Sequence, residues 1–453
     1  MIKKLFSLIM VCVLLFSMFY GCDKGSGPKE PLHILWDGIQ TQWHDKLGRE
    51  FKNLIVELGG PEDIEIEFLN NDDTEDAIAE RTSRVTRLKV EMMAGKGPDL
   101  FIISRTGDNS LFLTPEKSMG LNLLKNLDEY MENTQFMDMD KLTSVVMDAG
   151  VTEEGRYILP IAYSLPVTCF LKEDLPEAPA GDTWQDILED ETGFLQVSGA
   201  RHEVIEIGGY PSGGNTYITN TFGTIADYGD KKLNFTEEEL LQRIEEMLAI
   251  EEKAVSNEWG LPNYFTTRIG TWFGFYNNKK NFIKNVIPTA GEKIGQKKDL
   301  TMIPVYNDDG GVTVTITDWA AINANAKRPD DAFFVLDAML SQQGFERLSQ
   351  FYSNFVVTLS APVYEDVFSP EFAASCAEQY GKTEETDSIT GWCFNENNFA
   401  EYRRIREQIT VAQFSGEITG EIGYLYLNCA NDPEKMEELV HQAYMRMKQE
   451  LSE

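Results

Sequence analysis

The chain has 453 residues, with 40 Lys and Arg against 74 Asp and Glu, a formal net charge of −34 at pH 7. Such an excess of acid excludes nucleic acid as a partner, because phosphate binding needs clustered Lys and Arg, and it suits an exported protein that must stay soluble. Six cysteines (Cys12, Cys22, Cys169, Cys376, Cys393 and Cys429) are too sparse for a disulfide framework. Cys376 and Cys393 could pair or could both be buried thiols.

Lys3 and Lys4 precede an apolar run from Leu5 to Tyr20, closed by Gly21-Cys22, which reads as an export signal over residues 1–21. A single-span anchor is the alternative, the run lying near the ~18-residue lower limit for spanning. Asp23 to Pro31, rich in Gly, Lys and Pro, reads as a tether. His33 to Trp36 is a first strand, followed by a loop from Asp37 to Trp43. Helix Asp45 to Leu58 ends at Gly59-Gly60, and Ile64, Ile66 and Phe68 alternate with acids as a second strand. From Thr74 to Ala94, Ile78, Val85, Leu88 and Met92 recur at helical spacing. Gly95, Lys96, Gly97 and Pro98 stop that helix. Leu100 to Ile103 is an apolar run suited to a parallel strand covered on both faces. Strand, helix, strand, helix, strand is an α/β layer pattern. In open parallel sheets, ligands bind beyond the carboxyl ends of the strands. That places Trp36 at the end of the first strand, Asp37, Gln40 and Trp43 in the loop after it, and Arg105 and Asp108 in the loop Ser104 to Asp108, among the candidate binding residues.

The string Met93, Ala94, Gly95, Lys96, Gly97, Pro98, Asp99, Leu100 resembles the "A-G-x-G-P-D-hydrophobic" signature of extracellular solute-binding proteins of the maltose-binding type, which serve ABC importers. Further segments resemble that family in order. Gly155 to Ala162 is similar to its "G-x-x-Y-x-L-P" segment and implies a first hinge strand near Pro160 to Leu165, with Tyr163 beside the cleft. Phe170 to Leu175 departs from the usual "Y-N-x-D-L", while Pro179 with Thr183 to Ile187 matches "P-x-T-W-x-x-hydrophobic" with Ala-Gly-Asp inserted. The turn-rich segment Gly208 to Gly223 carries Tyr210, Asn215 and Tyr217 as pocket candidates. Thr236 with Glu239 makes a capping box before an amphipathic helix. Ile269 to Tyr276 stands where the family has an aromatic sugar-stacking loop, so Trp272 and Tyr276 join the candidates, although the family's Ala-Ala-Met is absent. Leu300 to Pro304 is a strand. Val312, Val314 and Ile316 lead through alternating threonines to Asp318-Trp319 as a second hinge strand, and both of those residues are expected at the cleft. Ala320 to Ala324 and the helix from Pro329 resemble the family's return to its first lobe. From about Glu365 the pattern reads as helical, with proline-led starts at Ser369-Pro370 and Asp432-Pro433 and a "G-x-x-t" at Gly416 and Thr419 before the last helix.

The resemblance implies an α/β, two-lobed periplasmic-binding-protein-like fold (type II) with discontinuous lobes joined by hinge strands. The first lobe takes residues 32–161 and 316–364, the second 162–315 and 365–453. It implies capture of a carbohydrate, an oligosaccharide being favoured by the supply of aromatic residues, and delivery to ABC permease subunits by a monomer. Gly21-Cys22 resembles a lipoprotein cleavage box, although Phe19 and Tyr20 depart from it; residues 22–31 would then be a lipidated Cys22 and tether holding the protein on the membrane. Other solutes, or service to a sensor kinase, are the alternative. An enzyme is the rival class, and its hardware is missing: no G-x-S-x-G, H-E-x-x-H or G-x-G-x-x-G occurs. The four histidines, His33, His44, His202 and His441, are too scattered to announce a metal. No cofactor is expected. Paired carboxylates for glycoside cleavage stay open in so acidic a chain.

Overall fold

The computed structural model describes residues 30–39, 41–72, 74–104, 110–172, 181, 183, 216–256, 264–269, 299–348, 361–367, 369 and 396–453. Strand β1 (Leu32–Asp37) lies between β2 (Ile64–Phe68) and β3 (Leu100–Ile103) and runs parallel to both. The crossovers are helix α1 (His44–Glu57) and helix α2 (Glu75–Met93), as the opening periodicities require. Thr74 caps α2 by accepting the Ala77 amide. The buried stripe of α2 is Ala77, Arg81, Val85, Leu88 and Met92; Ile78, expected within it, is 44% exposed. Arg81 occupies the inward position because it has a buried partner, described below.

Helix α3 (Pro115–Gly120) follows, then a small hairpin of β4 (Val151–Thr152) and β5 (Gly155–Arg156). Strand β6 (Leu159–Leu171) spans two pairing environments. Its first part pairs antiparallel with the late part of β11 (Val312–Ile322) and with β12 (Ala361–Pro362). Its second part pairs with β9 (Tyr264–Ile269) and β10 (Leu300–Pro304). Strand β11 does the converse. Val312 to Ile316 run parallel to β13 (Ile409–Phe414), the register slips at Asp318/Trp319, and Trp319 to Ile322 pair with β3. The two long strands thus lie side by side in one sheet and each changes partners along its length; they contain the segments Pro160 to Leu165 and Val312 to Trp319.

The signature Gly95 to Asp99 is a structural knot. The Asp99 carboxylate accepts the backbone amides of Lys327 at 2.6 Å, Arg328 at 3.2 Å and His33 at 3.0 Å. The Asn323 side chain donates to the carbonyls of Lys96 (3.1 Å) and Pro98 (2.9 Å). Gly95 and Gly97 hold φ of +68° and +108°, left-handed conformations that favour glycine. The turn between α2 and β3 is thereby tied to the point where β11 ends and α6, introduced below, begins.

Two apolar cores result. The larger surrounds the sheet and includes Trp36, Phe101, Phe112, Tyr163, Trp319 and Phe414. The smaller is built from α4 (Thr216–Thr221), the hairpin β7 (Ala226–Asp227) and β8 (Lys232–Leu233), and α5 (Glu237–Ser256), packed on the two last helices. At α5 the expected capping box is present: the Glu239 carboxylate accepts the Thr236 amide and the Glu239 amide donates to the Thr236 hydroxyl. Helix α6 (Pro329–Met339) starts at Pro329 and buries Asp337, whose carboxylate accepts the amides of Gln135, Phe136 and Met137. The chain closes with α7 (Glu396–Arg406), α8 (Glu417–Asn431) and α9 (Met436–Ser452). The reading of everything after Glu365 as helical is corrected by β13, where the β-branched run Ile409, Thr410, Val411 adds a parallel strand to β11. Gly416 and Thr419 open α8, the penultimate helix. The calls at Ser369-Pro370 and on Cys376 and Cys393 fall on or beside residues outside the described set.

Replacing Asp99 with Ala should lower stability by about 3 kcal/mol, since three backbone amides lose a charged acceptor. Urea unfolding measures it, and a loss below about 1 kcal/mol would contradict the knot.

Candidate functional site

The carboxyl ends of β1 and β3 meet closely. Gly38 has φ +102°, and a Cβ there would lie 2.6 Å from the carbonyl carbon of Ser104. Just before it, both Asp37 oxygens accept from Arg81 at 2.7 Å, a bidentate pair with side chains 0% and 3% exposed. The expectation that Asp37 meets ligand is therefore corrected: a guanidinium fills that place. Trp36 is corrected likewise. It is fully buried, edge-on to Phe51 at 5.3 Å and stacked on Phe68 at 6.0 Å.

The hinge candidates are also interior. Tyr163 is buried on β6. Asp318 is buried and accepts the Thr317 hydroxyl at 2.7 Å. Trp319 is 1% exposed, wedged between Phe112 at 5.2 Å and Phe414 at 6.0 Å. Those three calls are corrected for one physical reason: crossing strands at the middle of a sheet are covered on both faces. Trp43 ends a short 3-10 turn, packs partly against the larger core and has the Lys46 ammonium 5.6 Å from its ring centre. Tyr217 lies in α4. Gln40, Arg105, Asp108, Trp272 and Tyr276, like Cys22, lie outside the described residues.

An open cavity of about 330 Å³ lies between the segment before α3 and the helices α8 and α9. The segment before α3 supplies Leu113; the start of α8 supplies Gly416, Glu417 and Glu421; Tyr424 follows one turn on; α9 supplies Arg446 and Glu450. Trp319 stands one layer behind this wall, since its neighbours Phe112 and Phe414 immediately precede the lining residues Leu113 and Ser415. The Arg446 guanidinium holds Glu421 at 2.5 and 3.0 Å, and Tyr424 is 36% exposed. Lys117 of α3 forms an ion pair with Glu450 of α9. Glu417 hydrogen-bonds to Glu450, and that bond together with desolvation pushes its carboxyl up to about 7. Burial pushes Glu116 up to about 7 against the opposing pull of its own amide and that of Phe414. Tyr228 is raised first by desolvation and then by the carboxylates Glu116, Glu450 and Glu417, so these groups share one neighbourhood. Among the described residues no group of three His, Cys, Asp or Glu could hold a metal ion.

No protein-family model matches the chain, and no curated protein matches it in sequence. Solved structures do. An extracellular solute-binding protein family 1 member from Alicyclobacillus acidocaldarius superposes with TM-score 0.55 at 12% identity, over 94% of this chain and 100% of the other. A periplasmic oligogalacturonide binding protein from Yersinia enterocolitica gives 0.55 at 12%, over 93% and 99%. A cyclic alpha-maltosyl-1,6-maltose binding protein from Arthrobacter globiformis gives 0.52 at 13%, over 93% and 99%. Two designed esterases also match, at 0.57 and 0.55. The fold is that of two-lobed solute-binding proteins. Identities of this size establish architecture and leave ligand and role to the site itself.

The cavity residues were missed in the sequence. Glu417, Glu421 and Glu450 look there like the wet faces of terminal helices, and the one pointer was the "G-x-x-t" at Gly416 and Thr419, which opens α8 beside the cavity. Trp319→Ala should cost about 3 to 5 kcal/mol of stability, the range for truncating a buried aromatic. Differential scanning calorimetry reads it; an unchanged melting temperature would return Trp319 to the surface of the cleft.

Proposed function

We propose that this chain is the solute-capturing subunit of an ABC importer, taking a carbohydrate, preferably an oligosaccharide, into the cavity beside α8 and α9 and closing about the hinge strands β6 and β11. What supports the reading is the cavity lined by Leu113 together with Glu417 and Tyr424 of α8 and Arg446 of α9, in a fold that superposes on two-lobed solute-binding proteins. The matched structures titled as binding oligogalacturonide and a cyclic maltosyl-maltose support a sugar. So does the lining, where the Tyr424 ring can cover a sugar's C–H face while Glu421 and Arg446 meet hydroxyls. The lobes we assign are 32–161 with 316–364, and 162–315 with 365–453. Closure then shifts a population between open and closed forms, because ligand contacts come from both sides.

Glycoside hydrolysis is disfavoured by one geometric fact. Glu417 and Glu450 are hydrogen-bonded to each other, closer than the roughly 5 to 9.5 Å that glycosidases keep between their two carboxyls.

A thermal-shift screen over mono- and oligosaccharides tests the reading. A true ligand at 100 times its dissociation constant should add about 2.7 kcal/mol, and Tyr424→Ala should weaken it by roughly 1 to 3 kcal/mol, on the scale of aromatic stacking on nucleobases. Stabilisation by no sugar, with stabilisation by another solute class, would overturn the carbohydrate assignment. We further propose that Cys22 carries lipid and holds the protein on the outer face of the membrane, the run Leu5 to Tyr20 with Gly21-Cys22 being the support. No helix among the described residues is long and apolar enough to cross a membrane. Cys22→Ser should release the protein or leave it unprocessed; cleavage and membrane retention as in the parent would refute lipidation there.

A further inference from the structure

Helix α3 meets α8 and α9 along a seam marked by the ion pair of Lys117 with Glu450, and the cavity opens beside it. Among the described residues, three carboxyl groups line that cavity, Glu417 and Glu421 from α8 and Glu450 from α9, against one guanidinium, Arg446. The cations beside these carboxyls are already engaged. The Nε and Nη2 of Arg446, one edge of the fork with which arginine grips a carboxylate, both donate to a single oxygen of Glu421, at 3.0 and 2.5 Å. Lys117 is held by Glu450, and Lys89 of α2 bears on Glu417 less than the hydrogen bond from Glu450 does. The amino end of α8 is the other place suited to an anion. Glu417, in its first turn, already supplies the negative charge that a helix dipole favours there. Resting on the carbohydrate reading of this cavity, we propose that it selects sugars without acidic groups and rejects uronates, with Glu417 and Glu421 as the residues that decide.

A ligand carboxylate entering the cavity has two courses. It can stand unpaired among the carboxyls, where like charges repel. Otherwise it takes Arg446 from Glu421, which exchanges one ion pair for another and leaves Glu421 uncompensated one helical turn from Glu417, a like-charge spacing that is itself unfavourable. Neither course gives a net gain. Hydroxyls meet no such opposition, because an ionised carboxyl is an acceptor only and a hydroxyl donates to it. The groups that repel a uronate therefore serve a neutral sugar. The whole chain acts in the same direction, its formal net charge of −34 opposing the approach of an anion.

The test is calorimetric titration of the full chain at pH 8, above the value of about 7 to which Glu417 is raised, so that this carboxyl is ionised. The probes are pairs of oligosaccharides matched in linkage and length, one member carrying CH2OH and the other a carboxylate at C6. The parent should bind the neutral member of a recognised pair at least about tenfold more tightly. Glu421→Gln frees Arg446 for the ligand and should narrow that ratio by about tenfold. Glu417→Gln should narrow it too, while Arg446→Gln, which leaves Glu421 unpaired, should widen it. Circular dichroism establishes that each variant is folded. Uronates bound by the parent as tightly as their neutral partners, or a ratio that none of the three variants moves, would overturn the selection and leave the carbohydrate reading standing. Binding of neither member of any pair would overturn both.

Discussion

The Asp99 carboxylate fastens the start of β1 to the entry of α6. It accepts from three backbone amides that belong to separate parts of the chain: His33 at the start of β1, and Lys327 and Arg328 at the entry to α6. An uncompensated buried carboxylate is costly, and amides left without acceptors at a loop are costly too. Bringing them together satisfies both, and it sets where the chain returns after its excursion through the other half. The Asn323 side chain repeats the device from the opposite direction, donating to Lys96 and Pro98. The family-like signature is thus explained by physics local to the fold. It marks a fastening and says nothing of the ligand.

A second polar fastening lies at the carboxyl edge of β1. Asp37 and Arg81 are joined through two hydrogen bonds and almost wholly withdrawn from water. Such a pair is retained at a desolvation cost, and breaking it leaves a buried charge. Its effect is to plug the place where an open parallel sheet would ordinarily receive a ligand. Trp319 packs between Phe112 and Phe414, whose chain neighbours Leu113 and Ser415 line the cavity beside α8 and α9.

The fold was legible wherever one element's own pattern carried the information. The spacing of Val85, Leu88 and Met92, the glycines after them and the unbroken Leu100 to Ile103 each specify local structure, and local structure in that order restricts topology. Strand β13 was not legible, because six residues between helical stretches acquire their state from pairing with β11. The site was less legible still. Position near a strand end brought Trp36, Asp37 and Trp319 forward, yet it cannot tell a residue facing the cleft from one turned into the sheet's cover. The cavity joins Leu113 to Glu417 and Glu450, residues more than 300 apart, and no spacing rule connects them.

Polar construction of the seam has a mechanical consequence. Had α3 met α8 and α9 through leucines and phenylalanines, the two cores would have merged into one, and parting them would have exposed apolar surface at about 25 cal/mol per Å². Lys117 and Glu450 are each 22% exposed, and Arg446 on the rim is 55% exposed. Partly wet ion pairs are worth about 1 kcal/mol or less, and water replaces much of what is lost when they separate. The strands that continue across, β6 and β11, keep their ladders on either side of the slip at Asp318/Trp319. A contact made of partly wet ion pairs therefore adds little to what holds α3 against α8 and α9.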